Sequence, residues 1–273
     1  MRVLIAGAGG MLGRDVVRSA GPAAVALTRA QLDVTDAALV ASTVARVRPD
    51  VVINCAAFTD VDGAESDPDA ARRVNVDGAR NVAAAAPRVI HVSTDYVFDG
   101  RAREPYVESD PVDPVSVYGQ TKLEGERAVA AANPNHLIVR TAWLFGVHGP
   151  NFVETMLRLG RERGRARVVD DQIGCPTYTG HLAAGLLELA ARERTGVQHL
   201  AGRGAVSWHG FARAIFDAAG LDVELEPCTT AEFPRPAPRP AWSVLGTEHV
   251  AAPTLPAWHE GLQAYLAERG SNE

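Results

Sequence analysis

Cysteine is scarce in this chain. Its 273 residues include three, Cys55, Cys175 and Cys228. They lie far apart and form no CxxC pair, which argues against both a zinc site and a disulfide framework. A reducing cytosol fits better. A basic excess is also missing: the formal net charge is −6, so no overall field draws the chain to nucleic acid or to an anionic membrane. No apolar run approaches the roughly 18 to 20 residues that a membrane span needs. The run Val3-Leu4-Ile5-Ala6 is too short for the h-region of a signal peptide and ends in glycines. The sequence therefore points to a cytoplasmic protein without a nucleic-acid or membrane partner.

What is present is ordinary for a globular chain. Hydrophobic residues make up 47% and charged residues 22%, and this length buries a large core without staples. In the first half, short β-branched runs alternate with helical patterns. Strands are expected over 2–6, 23–27, 51–54, 89–92 and 136–140. Helices are expected over 11–20, over 36–48 with Thr35 or Asp36 as N-cap, over 68–85 and over 116–132. This order implies βαβ units, a parallel sheet and right-handed crossovers. The fold class is α/β, a Rossmann-like doubly wound parallel sheet with ligands at the carboxyl ends of its strands. The second half is less regular, with helices expected near 151–161, 180–192, 207–219 and 257–268. Short strands are expected near 167–169 and 197–200. Residues 1–150 are expected to form the dinucleotide-binding core, and residues 151–273 to complete it and form a small C-terminal substrate lobe. The segment Pro234-Arg235-Pro236-Ala237-Pro238-Arg239-Pro240 is neither regular helix nor inner strand and reads first as a surface linker.

Gly7, Gly10 and Gly13 follow the first strand directly and open a helix. Met11 and Leu12 lie within the same turn. Glycine permits a tight turn and lets backbone N–H groups approach a pyrophosphate. The helix N-terminus adds partial positive charge toward that anion. The bland alternative is a glycine-rich turn that only packs. The acid that reads a ribose lies about 20 residues further on, after the second strand. Counting nominates Asp33, followed by Val34; strand position nominates Thr28, with Arg29 beside it. Thr28 and Arg29 would not repel a 2′-phosphate and would offer it a cation. NADPH is therefore expected, with NADH tolerated, while Arg29 as a plain solvated charge stays open.

Tyr118 and Lys122 stand four apart on an expected helix, hence on one face. A free phenol has a pKa of about 10, and a nearby ammonium is expected to lower it, making Tyr118 a general acid toward an alkoxide. Alone, the pair reads as an ordinary surface pair. Ser93 and Thr94, however, leave the fourth strand at its carboxyl end, where a hydroxyl can hold a carbonyl oxygen. Their alternative role is to cap the next turn.

Six further stretches accompany these groups: 54–65 (NCAAFTDVDGAE), 93–100 (STDYVFDG), 117–126 (VYGQTKLEGE), 140–146 (RTAWLFG) and, later, 171–177 (DQIGCPT) and 239–245 (RPAWSVL). With the Gly7-x-x-Gly10-x-x-Gly13 spacing, the chain resembles the extended short-chain dehydrogenase/reductases. Within them it is similar, over nearly its whole length, to the dTDP-4-dehydrorhamnose reductase branch. The resemblance implies reduction by NAD(P)H of the C4 ketone of a dTDP-linked 6-deoxyhexose, giving dTDP-L-rhamnose. It implies that Thr94 and Tyr118 hold the ketone oxygen and that Tyr118 supplies the proton. Lys122 would hold the nicotinamide ribose and tune Tyr118. Ala56, Ala57 and Thr59 would line the cofactor groove, and Asp95 and Trp143 would face the sugar, with Trp143 as a core aromatic the alternative. Arg235 or Arg239 could pair with the sugar nucleotide's diphosphate, Arg239 being the first candidate. Val153, Met156 and Leu157 read as core. Some members of the family are described with an acidic metal site at a dimer contact. Asp15 would be its remnant, but the sequence assembles no ligands around it, so no metal is expected; a homodimer stays open. A ketoreductase for another nucleotide deoxysugar, or a non-catalytic NADP-binding regulatory subunit, also remains open at this point.

Overall fold

The computed structural model describes residues 1–271. Six parallel strands form the central sheet in the order β10-β5-β4-β3-β1-β2. They are β1 (Val3–Ala6), β2 (Ala24–Leu27), β3 (Val51–Asn54), β4 (Val89–Thr94), β5 (His136–Thr141) and β10 (Gly196–His199). The crossover helices of the first half are α1 (Met11–Ala20), α2 (Ala37–Val47), α3 (Val61–Ser66), α4 (Pro68–Arg72), α5 (Ala79–Ala85) and α6 (Val117–Ala132). The chain then runs through β6 (Leu144–Phe145), α7 (Phe152–Arg163), β7 (Arg165–Val169), β8 (Ile173–Gly174), β9 (Thr177–Tyr178) and α8 (Thr179–Ala190). After β10 come β11 (Val206–Ser207), α9 (Trp208–Ala218), β12 (Glu224–Cys228) and α10 (Trp258–Gly270).

The sheet is buried on both faces, as near-continuous apolar strands require. Along β1, Val3 and Ile5 pack with Leu12 and Val16 of α1 and Leu182, Leu186 and Leu189 of α8. Leu4 and Ala6 point the other way, toward Val40 and Val44 of α2, Val82 and Ala83 of α5, and Val129 of α6. This alternation is the period of two expected of strand side chains. A third apolar cluster fills the second half, where Val153, Met156 and Leu157 of α7 are buried with Phe145, Phe211, Ile215 and Tyr265.

The strand–helix alternation is that of the doubly wound fold read from the sequence, and α2 is capped by Asp36, whose Oδ1 accepts from the Leu39 amide at 2.9 Å. The 68–85 helix differs from expectation. It is interrupted between α4 and α5 by a π-helical segment, Arg73–Gly78. Such insertions concentrate at functional sites. Here it carries Asn75 inward, where the carboxamide bonds the Phe58 amide (2.8 Å) and carbonyl (3.2 Å) and Thr121 Oγ1 on α6 (3.1 Å). The π segment thus ties the loop after β3 to the helix that bears Tyr118 and Lys122.

Candidate active site

Sheet order reverses between β1 and β3, whose carboxyl ends adjoin, and an open α/β sheet binds ligands at such a switch point. A groove of about 260 Å³ opens there, lined by Gly7, Gly9, Gly10, Arg29, Asp33, Val34, Ala56 and Ala57 among others. Two glycines of the turn, Gly7 and Gly13, are required by contact. Gly7 has φ +77°, and a Cβ on it would stand 2.6 Å from the Ala56 nitrogen. A Cβ on Gly13 would lie 2.2 Å from the Gly7 carbonyl oxygen. These absences let the turn close against the first turn of α1 and the backbone after β3, leaving an open, backbone-lined cradle suited to a pyrophosphate.

At the far end of the groove, Arg29 and Asp33 stand together, Nε to Oδ2 4.0 Å. Arg29 is 87% exposed and therefore free to reorient. Asp33 Oδ1 accepts from the Thr35 amide and hydroxyl at 3.0 and 2.8 Å. Those bonds hold its carboxyl below the usual range. Thr28 sits outside the groove lining, hydrogen-bonded to Gln31 Oε1 at 3.0 Å, with its methyl carbon 3.5 Å from where a Gly9 Cβ would be. It supports the turn from behind.

A second cavity of about 420 Å³ continues from the first, since both include Gly10, Cys55 and Ala57. Its walls bring together Met11, Leu12, Gly13, Thr59, Thr94, Asp95, Tyr118, Lys122 and Trp143, nine of the residues singled out from sequence, with Tyr96 and Trp208 besides. The Ser116 hydroxyl caps α6 at the Gly119 amide (3.2 Å), so Tyr118 lies in the first turn and Lys122 one turn below. Both are buried, at 8% and 2% exposure. Thr94 Oγ1 accepts from the Tyr96 amide (3.2 Å) and donates to Asp95 Oδ1 (3.0 Å). Capping and display of the hydroxyl are thus performed by one residue.

Tyr118 departs from the expectation that Lys122 lowers its pKa. Burial pushes the phenol up to about 12, Thr94's hydroxyl opposes this, and Asp95 adds to it. The reason is where Lys122 points. Its Nζ donates to the Val92 carbonyl at 2.7 Å and lies 3.5 Å from His91 Nε2. Burial also lowers Lys122 to about 8, against the pull of Glu126 and Cys55. A Tyr118 that keeps its proton at neutral pH is armed as an acid. Asp95, 2% exposed, is raised to about 6 by burial, with Ser243 and Thr94 opposing.

Trp143 holds a left-handed backbone, φ 46°, rare for a bulky residue and concentrated at functional sites. Its indole packs over Gly174, where a Cβ would fall 2.4 Å from Cε2. It stacks on Trp208 with centroids 3.5 Å apart and planes 2° from parallel. Trp208, at the start of α9, was not singled out from the sequence; nothing local distinguishes it from a core aromatic. Arg239 lies off the cavity lining. Its guanidinium and that of Arg235 both pair with Asp62, and Arg239 also bears on the buried Tyr96 hydroxyl. Asp15, for which the sequence offers no co-ligands, is joined in space by His148 and Glu268. One potential ligand atom from each lies within 4.8 Å of the others, and Asp15 already forms an ion pair with Arg18 (2.8 Å) and accepts from the Thr179 hydroxyl (2.5 Å).

A family model described as the RmlD substrate binding domain matches residues 1–270. The chain belongs to the RmlD family. Among relatives of this RmlD chain, a spore coat polysaccharide biosynthesis protein of Bacillus subtilis, SpsK, is 40% identical, covering 99% of this chain and 98% of the relative. The dTDP-4-dehydrorhamnose reductase of Mycobacterium tuberculosis is 46% identical, covering 97% and 92%. The crystal structure of a dTDP-4-dehydrorhamnose reductase from Bacillus anthracis in complex with NADP superimposes with TM-score 0.95 at 38% identity, over 98% of this chain and 99% of that one. The RmlD family thus matches the resemblance read from the motifs.

Proposed function

We propose that this protein is an NADPH-dependent reductase, accepting NADH less well, that converts the C4 ketone of dTDP-4-dehydro-L-rhamnose to the hydroxyl of dTDP-L-rhamnose in the cytoplasm. The observation that carries the reading is the meeting of Thr94, Tyr118 and Lys122 on the wall of a cavity continuous with the glycine-turn groove. Kinship with enzymes named for this reaction supplies the substrate.

The residues fit the cofactor. Gly7, Gly10 and Gly13 would cradle the pyrophosphate, Ala56, Ala57 and Thr59 would flank the extended chain, and Arg29, Asp33 and Val34 would meet the adenosine end, with Arg29 available to a 2′-phosphate. The bound dinucleotide supplies a hydride to C4. Thr94 and Tyr118 hold the ketone oxygen, and Tyr118 passes its phenolic proton to that oxygen as negative charge develops. Lys122 holds the nicotinamide ribose. Asp95 and Trp143 bind the sugar, and Arg239 faces its diphosphate. Residues 1–150 carry the cofactor. Within residues 151–273, β10 adds the last strand of the sheet and Trp208 one side of the sugar cavity.

The test is NADPH oxidation followed by absorbance with dTDP-4-dehydro-L-rhamnose and with other 4-keto sugar nucleotides. Tyr118→Phe should lower kcat by about 10²–10⁴-fold while the cofactor still binds. Equal turnover by Tyr118→Phe would remove the mechanism. Turnover of a different sugar alone would reassign the substrate, and tight NADP binding without any turnover would make the protein a binding subunit.

A further inference from the structure

β3 reads Val-Val-Ile-Asn, and β4 enters the sheet as Val-Ile-His. In this apolar sheet, Asn54 and His91 are direct cross-strand partners, 1% and 0% exposed. Burying two polar side chains costs stability unless each is hydrogen-bonded, and here the bonds form a directed chain. Asn54 Oδ1 accepts from the Ala56 amide at 3.1 Å. That bond fixes which end of the carboxamide is oxygen. The amide nitrogen must then face His91 Nδ1, 3.2 Å away. An amide nitrogen only donates, so Nδ1 is the bare, accepting nitrogen. Burial, reinforced by Lys122, holds His91 well below its usual pKa, and a neutral ring carries one proton. It sits on Nε2, which lies 3.5 Å from Lys122 Nζ.

We propose that Asn54 and His91 are positioning residues for the reduction: they lock the imidazole in its Nε2–H tautomer and turn that N–H on Lys122, favouring the neutral amine against the ammonium. The inference rests on the reductase reading for its kinetic consequence alone. Ammonium protons need acceptors. The Val92 carbonyl provides one, whereas the imidazole in this tautomer provides none. The other titratable groups acting on the amine are Glu126 on α6 and Cys55 after β3. Glu126 is the carboxylate among them, and it is already claimed by Arg140 at 2.9 and 2.8 Å and by the Ser93 hydroxyl at 2.5 Å. Lys122 is thereby left able to change charge near neutral pH. Because Lys122 is the residue that holds the nicotinamide ribose, the relay sets the alkaline limit of reduction. The chain starts at the Ala56 amide, on the groove wall that faces the cofactor, so the same asparagine orders groove and acid–base pair together.

Two readouts test this. In the wild-type protein, long-range ¹H–¹⁵N spectra of histidine-labelled protein should show His91 as the Nε2–H tautomer. An Nδ1–H ring would overturn the relay, and this measurement needs no turnover. The second is the pH profile of kcat/KM. Wild type should fall above about pH 8, the value to which Lys122 is lowered. Asn54→Asp keeps the acceptor for Ala56 and gives His91 Nδ1 a carboxylate, so the ring proton moves to Nδ1 and the bare Nε2 accepts from the ammonium. The alkaline limb should move up by about one unit, so that at pH 9 the variant retains roughly five-fold more of its plateau activity than wild type does. His91→Leu, which removes the N–H, should move the limb the same way. A limb unmoved in folded Asn54→Asp would overturn the proposal, whereas an inactive wild type would instead sink the reductase reading.

Discussion

Asp95 shows how one residue trades stability for function. Its Oδ1 is held by Thr94, and its buried Oδ2 makes no hydrogen bond within the described residues. Buried polar atoms without partners are rare, and this one lines the proposed sugar cavity. Burial raises the carboxyl from 3.8 to about 6. Between those values the unfolded chain has released a proton that the folded one still holds, so stability falls as pH rises through that window and stays low above it. Asp95→Asn keeps the acceptor for Thr94 and removes the ionisation. It should therefore gain up to about 3 kcal/mol at pH 7–8 and nothing at pH 3.5, while losing most activity. Urea denaturation at the two pH values checks this; a gain that is the same at both would mean that the carboxyl's charge is not the cause. Asp95 was legible because it follows Thr94 in a family motif. Its burial was not, since Ser243, the hydroxyl beside it, lies 148 positions along the chain.

Among the elements, α6 is the one whose placement decides the chemistry, and the π segment Arg73–Gly78 sets that placement. Gly125 faces it so closely that a Cβ would sit 2.1 Å from the Asn75 carbonyl oxygen. Backbone, unlike the tip of a flexible side chain, does not step aside. Gly125→Ala should cost about 1–3 kcal/mol by overpacking, despite alanine's better helix propensity. Because Tyr118 and Lys122 ride on the displaced helix, kcat should fall at least ten-fold. A variant that is more stable and fully active would show that α6 can shift without consequence. The helix itself was readable, from Ser116 through the Tyr118–Lys122 spacing, as were the glycine turn and, as one of two candidates with Thr35, the Asp36 cap, because each is a short-range pattern. The π segment was not, for its stabilising contacts are Asn75 with Phe58 and Thr121, distant in sequence. Helix α3 escaped for another reason. It has six residues, fewer than two turns, and leans on the Asp60 cap at the Gly63 amide (2.9 Å) rather than on any apolar period.

At the scale of the whole molecule, the segment read as a linker is a strap joining the two halves. Asp62, at the start of α3, receives Arg235 (3.0 and 2.5 Å), Arg239 (3.1 Å to each oxygen) and the Ala237 amide (3.1 Å). Further along, Trp242 is tied to the Gly100 and Glu104 carbonyls, and Pro240 packs where a Gly100 Cβ would clash. Partial burial opposes ionisation of Asp62, but Arg239, the Ala237 amide and Arg235 outweigh it and hold the carboxyl at about 2. The latch therefore keeps its charge throughout the pH range of assay. Two guanidiniums around one carboxylate leave a net positive charge, and Arg239 is only 17% exposed, so its direction is set by Asp62 rather than by solvent. If Asp62 aims the arginines at a diphosphate, Asp62→Ala should raise the KM for the sugar nucleotide about ten-fold, leave NADPH affinity unchanged and speed amide exchange around Ala237. If instead the carboxylate competes with the diphosphate for the same cations, the KM should fall. The Ala237 hydrogen bond decides between these in favour of aiming. It fixes the backbone between the two arginines, a constraint that a competing anion would not need and whose loss costs ordering entropy at the moment of binding.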